Sequence, residues 1–117
     1  VERNLDDSER SLAVISEEMI DDLKRKHGDK LSLLVSGDVE VVVRKPSSGD
    51  MKRWRADTAD AARRSIANEN LVRSCVVFPA PAEMKTILED LPGLVEEFIE
   101  PLLKLTGLSG QATIQKL

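Results

Sequence analysis

The stretch KLSLLVSGDVEVVVR, residues 30–44, decides the fold. Leu31, Leu33 and Val35 alternate along its first half, and Val39, Val41 and Val43 along its second. Between them stands Gly37-Asp38, a two-residue turn of the II′ kind, with glycine where the backbone needs a positive φ. The pattern predicts an antiparallel β-hairpin with those six side chains on its main apolar faces. Leu34 and Val42 point to the opposite face, so that face should be partly covered too. A hairpin alone is marginal in water, so its neighbours in sequence must pack on it.

Upstream, Ser16 is a good N-cap, followed by Glu17 and Glu18. Ile15 and Ile20 stand where a hydrophobic staple would place them. Lys24, Arg25, Lys26 and His27 suit the negative end of a helix dipole, and Gly28 suits a stop. A helix over 17–27 follows, with Met19, Ile20 and Leu23 as its buried stripe. Residues 1–15 include VERNLDDSERS, which is polar and aperiodic. They read as a flexible acidic N-terminal extension.

Downstream, Pro46 ends the hairpin. Ser47 and Asp50 have capping-box spacing. Met51, Trp54, Thr58, Ala61 or Ala62, and Ile66 then recur at helical spacing, which predicts a helix to about residue 67. NLVRSCVV, residues 70–77, fits a helix by spacing and a strand by its β-branched content; a short helix is preferred. Pro81 opens a helix over 81–90, with Met84, Ile87, Leu88 and Leu91 inward. A last helix carries Leu94, Val95, Phe98, Ile99, Leu102 and Leu103. Pro101 should kink it. Gly107 should end it in a Schellman closure, with Leu108 against Leu103. Residues 109–117 read as a flexible C-terminal tail.

The fold class is therefore α+β and mainly helical: one antiparallel β-hairpin packed by four or five short helices in a single domain over 16–108. The length of 117 residues suits one domain. Aromatic residues are only 3% of the chain, so the core must be aliphatic.

Chemistry-bearing residues are sparse. His27 is the only histidine and Cys75 the only cysteine. The first reads as a helix terminus and the second as a buried thiol. One cysteine makes neither an internal disulfide nor a thiolate metal site, and a reducing compartment is the simpler reading. The carboxylate pairs Glu17-Glu18, Asp21-Asp22, Glu89-Asp90 and Glu96-Glu97 fall on solvent faces, where nothing shifts their pKa. No phosphate loop or nucleophile motif is present. The reading is non-enzymatic, with no cofactor and no metal. No apolar run spans a bilayer, and no leader pattern is visible.

Net charge is −4, but residues 44–73 hold eight basic and four acidic side chains. This raises the alternative of a small nucleic-acid-binding module using a basic helix over 44–64. Local pairing opposes it. Arg53 has Asp57 four residues on, and Asp60 has Arg63 and Arg64 within reach. That leaves Arg44, Lys45, Lys52 and Arg55 free. Trp54 lies on the apolar stripe and should pack inward rather than stack on a base. A solvated basic face over an aliphatic core is preferred.

The order of these features resembles the tail assembly chaperones of long-tailed phages and prophages. The likeness rests on VVVRKPSSGDMKRW (41–54) and NLVRSCVVFPAPAEMKTILEDLPGLVEEFIEPLLKLTGLSG (70–110). It comprises a hairpin ending in Arg-x-Pro, a charged helix, Cys-Val-x-x-Pro, a Leu-Pro-Gly-Leu helix start and a terminal Leu-x-Gly. It covers about residues 16–110; the acidic N-terminal extension departs from it. The resemblance implies a protein of the host bacterial cytoplasm that binds a tape-measure protein and recruits tail-tube subunits, with possible homo-oligomers. The contact residues it suggests are Arg44, Lys45, Lys52, Trp54 and Arg55, with Leu102, Leu105 and Leu108.

Overall fold

A computed structural model describes residues 15–108 and 111–117. Among them are five helices and three strands: α1 (Glu17–His27), β1 (Leu31–Ser36), β2 (Val39–Arg44), α2 (Ser48–Ala59), α3 (Arg64–Cys75), β3 (Val76–Phe78), α4 (Pro81–Asp90) and α5 (Leu94–Lys104). The strands form one antiparallel sheet in the order β1-β2-β3. The mainly helical α+β reading holds, with one strand more than the hairpin. The expected N-terminal extension lies outside the described residues, save Ile15. Of the expected C-terminal tail, residues 111–117 are exposed and form no helix or strand.

Gly37, at φ +59°, makes the two-residue turn and sets the register. Ser36 pairs with Val39, so Leu34 faces Val41 and Leu33 faces Val42. Odd positions of β1 thus share a face with even positions of β2. The inner face is Leu34, Val39, Val41 and Val43, packed on the core. This corrects the expected faces: Leu33 and Val35 lie on the other side, 50% and 57% exposed. Val42 is also on that side, but it is buried opposite Phe78 of β3.

Helix α1 is capped as expected. Met19 N–H donates to Ser16 Oγ at 3.2 Å, and Gly28 N–H donates to Lys24 O at 2.8 Å. Its stripe of Met19, Ile20 and Leu23 is only half-buried, and the helix lies against β3.

The helix expected to run to residue 67 stops at Ala59. Asp60 turns extended, its Oδ1 accepts from Ala62 N–H at 2.9 Å, and its carbonyl accepts from Arg63 and Arg64. A short acidic side chain that can bond its own backbone competes with the helix ladder, and here it wins. As a result Ala61, Ala62 and Ile66 are exposed rather than inward, and α3 folds back on α2. Ala67, Leu71 and Cys75, four residues apart, then face the core together with Val72.

The segment read as a short helix over 70–77 divides at Cys75. Val76 pairs with Val43 and Phe78 with Val42, across an irregular step in the ladder. Three residues of strand propensity before a proline, which disfavours helix at Phe78, account for the switch. The Phe78–Pro79 bond is cis.

Helix α4 buries Met84 and Leu88, but Leu91, expected inward, is 45% exposed. Helix α5 runs through Pro101 and buries Leu94, Val95, Phe98 and Leu102. It closes with Leu105, Thr106 and Gly107 N–H groups each donating three residues back, at 3.2, 3.0 and 3.0 Å; the last is the inner bond of the expected Schellman closure, without the outer one from Leu108 to Leu103. Gly107 sits at φ +92°, where a side chain would be strained.

The core gathers Val41 and Val43 from the sheet, Met51, Leu71, Val72 and Cys75 from α2 and α3, Met84 and Leu88 from α4, and the buried face of α5. Phe98, 1% exposed, is its largest side chain. Phe98→Ala should cost about 3–5 kcal/mol, while Leu91→Ala should change stability by less than about 1 kcal/mol. Urea unfolding followed by circular dichroism measures both.

Candidate functional site

Arg44 ends β2, and Asp50 stands in the first turn of α2, six residues on. Arg44 Nη1 donates to Asp50 Oδ2 at 2.6 Å, and Nη2 reaches Asp50 Oδ1 at 3.5 Å. Nη2 also donates to the Ser74 carbonyl at 2.9 Å, in the last turn of α3. Asp50 meanwhile closes a full capping box: Ser47 N–H donates to Asp50 Oδ2 at 2.8 Å, and Asp50 N–H donates to Ser47 Oγ at 3.1 Å. Arg44 was expected to be a free contact residue; it is instead a half-buried tie between the sheet, α2 and α3. The Arg44 guanidinium, aided by the Ser47 donors, holds the Asp50 carboxyl at about 2, against an ordinary 3.8.

The other expected pairings also change. Arg53 approaches Asp50 at 3.8 Å rather than Asp57. The buried Asp57 accepts instead from Arg63 Nε at 2.8 Å. Arg64 Nε donates to the Thr58 carbonyl at 2.8 Å, not to Asp60. The partners of Arg63 and Arg64 sit across the Asp60 turn, where helical i, i+4 counting does not reach.

Trp54 is half-buried on the core, and its Nε1–H donates to Asn68 Oδ1 of α3 at 2.9 Å. Its ring helps to line a crevice of about 10 Å³ between α2 and α3, too small for a base or a side chain. Trp54 therefore serves the α2–α3 packing. Leu102 is fully buried and offers no contact surface, while Leu105 is partly buried against the core. Leu108 is 51% exposed.

Of the remaining expected residues, Lys45 and Arg55 come together. Lys45, Arg55 and Thr106 line one open hollow of about 310 Å³ with Pro46, Ser47, Ser48 and Met51. Lys52 and Leu108 are exposed nearby in sequence, on α2 and just past Thr106. Lys45, Lys52 and Arg55 form no ion pair among the described residues. The sequence pattern placed basic and leucine-rich segments on the same list, but only the fold sets the start of α2 beside the end of α5.

A second hollow, of about 390 Å³, lies between α2, α3 and the start of α4. Arg53, Asn70, Arg73 and Ser74 line it. Sequence reasoning did not find it, because its residues come from three separate helices. Cys75 is wholly buried, and burial pushes its thiol up to about 11. No group of three or more metal-ligating side chains forms among the described residues. No helix among them is long and apolar enough to cross a membrane.

A family model described as a domain of unknown function, DUF6848, matches residues 23–115. The chain belongs to the DUF6848 family. The match takes in the second half of α1, the whole sheet and every later helix, so it spans both hollows. In three dimensions the chain is similar to the uncharacterised protein rbstp2171 from Bacillus stearothermophilus. The TM-score is 0.66 at 23% identity, over 81% of this chain and 98% of that one. At that identity the likeness is one of fold. No curated protein matches the chain.

Asp50 has a lowered pKa, so its contribution to stability is present in full above about pH 4 and is lost as pH falls towards 2. Asp50→Asn should therefore cost about 2 kcal/mol near neutral pH. The gap to the native chain should close on acidification, as thermal melts from pH 7 to 2 would measure. Cys75 should resist a thiol-reactive dye in the folded protein at pH 8 and react at once in urea; absorbance of the released dye reads both.

Proposed function

We propose that this protein is a non-enzymatic adaptor of the phage tail assembly chaperone kind. It binds a tape-measure protein and helps to recruit tail-tube subunits in the bacterial cytoplasm. The observation that carries this reading is the hollow in which Lys45 and Arg55, both without ion-pair partners, meet the turn that leads to the exposed Leu108. A cationic rim around an apolar edge suits the acidic and apolar faces of an amphipathic helix, as a tape-measure protein would present in repeats. Weak contacts repeated along one long partner add up through avidity. Thus Lys45, Lys52, Arg55 and Leu108 form the working surface, while Arg44, Trp54, Leu102 and Leu105 support it from within.

The nucleic-acid alternative loses ground to the same geometry. Arg44 and Arg63 are tied to carboxylates, and Trp54 is partly buried against the core with its N–H bonded to Asn68.

Co-expression with the tape-measure protein encoded nearest this gene, followed by size-exclusion chromatography with light scattering, tests the proposal. The expected result is a soluble complex with many copies of this chain per partner. Lys45→Glu with Arg55→Glu should cut the affinity at least about tenfold, since two charge contacts reverse. An insoluble partner, with this chain eluting alone, overturns the reading. Binding to single-stranded or duplex DNA that falls steeply with salt would put the nucleic-acid reading in its place.

A further inference from the structure

Strand β1 is the open edge of the sheet. Proteins usually guard such an edge with a lysine, a proline, a bulge or a covering element. β1 reads Leu31-Ser-Leu-Leu-Val-Ser36, with no charge and no proline, and its register with β2 is unbroken over all six residues. Among the described residues, no backbone group outside β2 pairs with it. The two-residue turn closes on Ser36–Val39 as a hydrogen-bonded pair, so Ser32, Leu34 and Ser36 point their N–H and C=O groups at β2. Leu31, Leu33 and Val35 turn theirs to the open side. The side chains of Leu33 and Val35 are also half or more exposed.

The charges around this strand are self-complementary. Lys30 precedes it and Asp38 follows it, both exposed, and neither forms an ion pair among the described residues. We propose that β1 pairs antiparallel with β1 of a second copy about a two-fold axis. This joins two three-stranded sheets into one of six strands.

Such an axis stands perpendicular to the sheet, so each face continues into the same face of the second copy. Only registers that set odd positions opposite odd ones meet that condition. With Leu34 on the axis, Leu33 lies opposite Val35 of the second copy, as a hydrogen-bonded apolar pair repeated twice. Lys30 then comes to the Gly37-Asp38 turn of the second copy at both ends. Sliding by two residues, to put Leu33 on the axis, sets Lys30 opposite Ser36, whose Oγ donates to Glu97 Oε1 at 3.1 Å, so a carboxylate meets Lys30 there too. Either register sets the open N–H and C=O groups of Leu33 against the second copy and brings Lys30 to the acidic end of its strand. The hollow at Lys45 and Arg55 takes no part in it.

Size-exclusion chromatography with light scattering on the full chain, over about a hundredfold range of concentration, tests the pairing. The mass should rise towards twice the monomer value as concentration increases. Leu33→Lys with Val35→Lys sets like charges opposite each other and should leave a monomer at every concentration, with unchanged far-ultraviolet circular dichroism. Lys30→Glu and Asp38→Lys, each alone, should weaken the dimer roughly tenfold, because the axis repeats every loss. The two together should restore it. A native chain that stays monomeric throughout overturns the proposal. So does a dimer that survives the paired lysines, or one that the two single charge reversals leave untouched.

Discussion

The contact between Arg44 and Asp50 is the constraint on which the arrangement of layers depends. Asp50 caps its own helix and at the same time neutralises the residue that ends β2. The same guanidinium holds the carbonyl of Ser74, one residue before the core-facing Cys75. One planar cation thus fixes the end of the central strand, the start of α2 and the end of α3. A lysine could not replace it, because its single ammonium lacks the forked geometry that serves two partners at once. A nearly buried carboxylate without that partner would be a net cost to the fold.

Much of this architecture could be read in the residues. The hairpin, the Ser16 and Ser47 caps, Pro81 at the start of α4 and the apolar face of α5 each rest on local chemistry that leaves a plain mark. Two features failed for reasons that are also local. The inner face of β1 was assigned by alternation alone, although the Gly37-Asp38 turn already fixed which positions oppose each other. The break at Asp60 was hidden because alanines on either side keep a helical rhythm that the aspartate interrupts. The strand Val76–Phe78 is three residues long, and only its pairing with β2 distinguishes it from the end of α3.

The candidate surface was legible only in part. Lys45, Lys52 and Arg55 stand out as charges without local partners, and they form no ion pair among the described residues. Arg44 and Trp54 carry the same residue types but are recruited inward by Asp50 and Asn68, partners six and fourteen positions away. Helical spacing rules cannot see partners at those separations. The grouping of Lys45 and Arg55 with Thr106 arises because α5 ends beside the start of α2, which depends on the whole core between them.

The bond from Trp54 to Asn68 has a practical consequence. The chain contains one tryptophan and no tyrosine. Light absorbed at the red edge of the near-ultraviolet therefore excites a single indole, held at the joint between α2 and α3. Its emission colour and lifetime report whether that joint is closed, without any introduced label. The protein carries its own optical gauge of the helical hairpin, placed on the same helix as the basic surface.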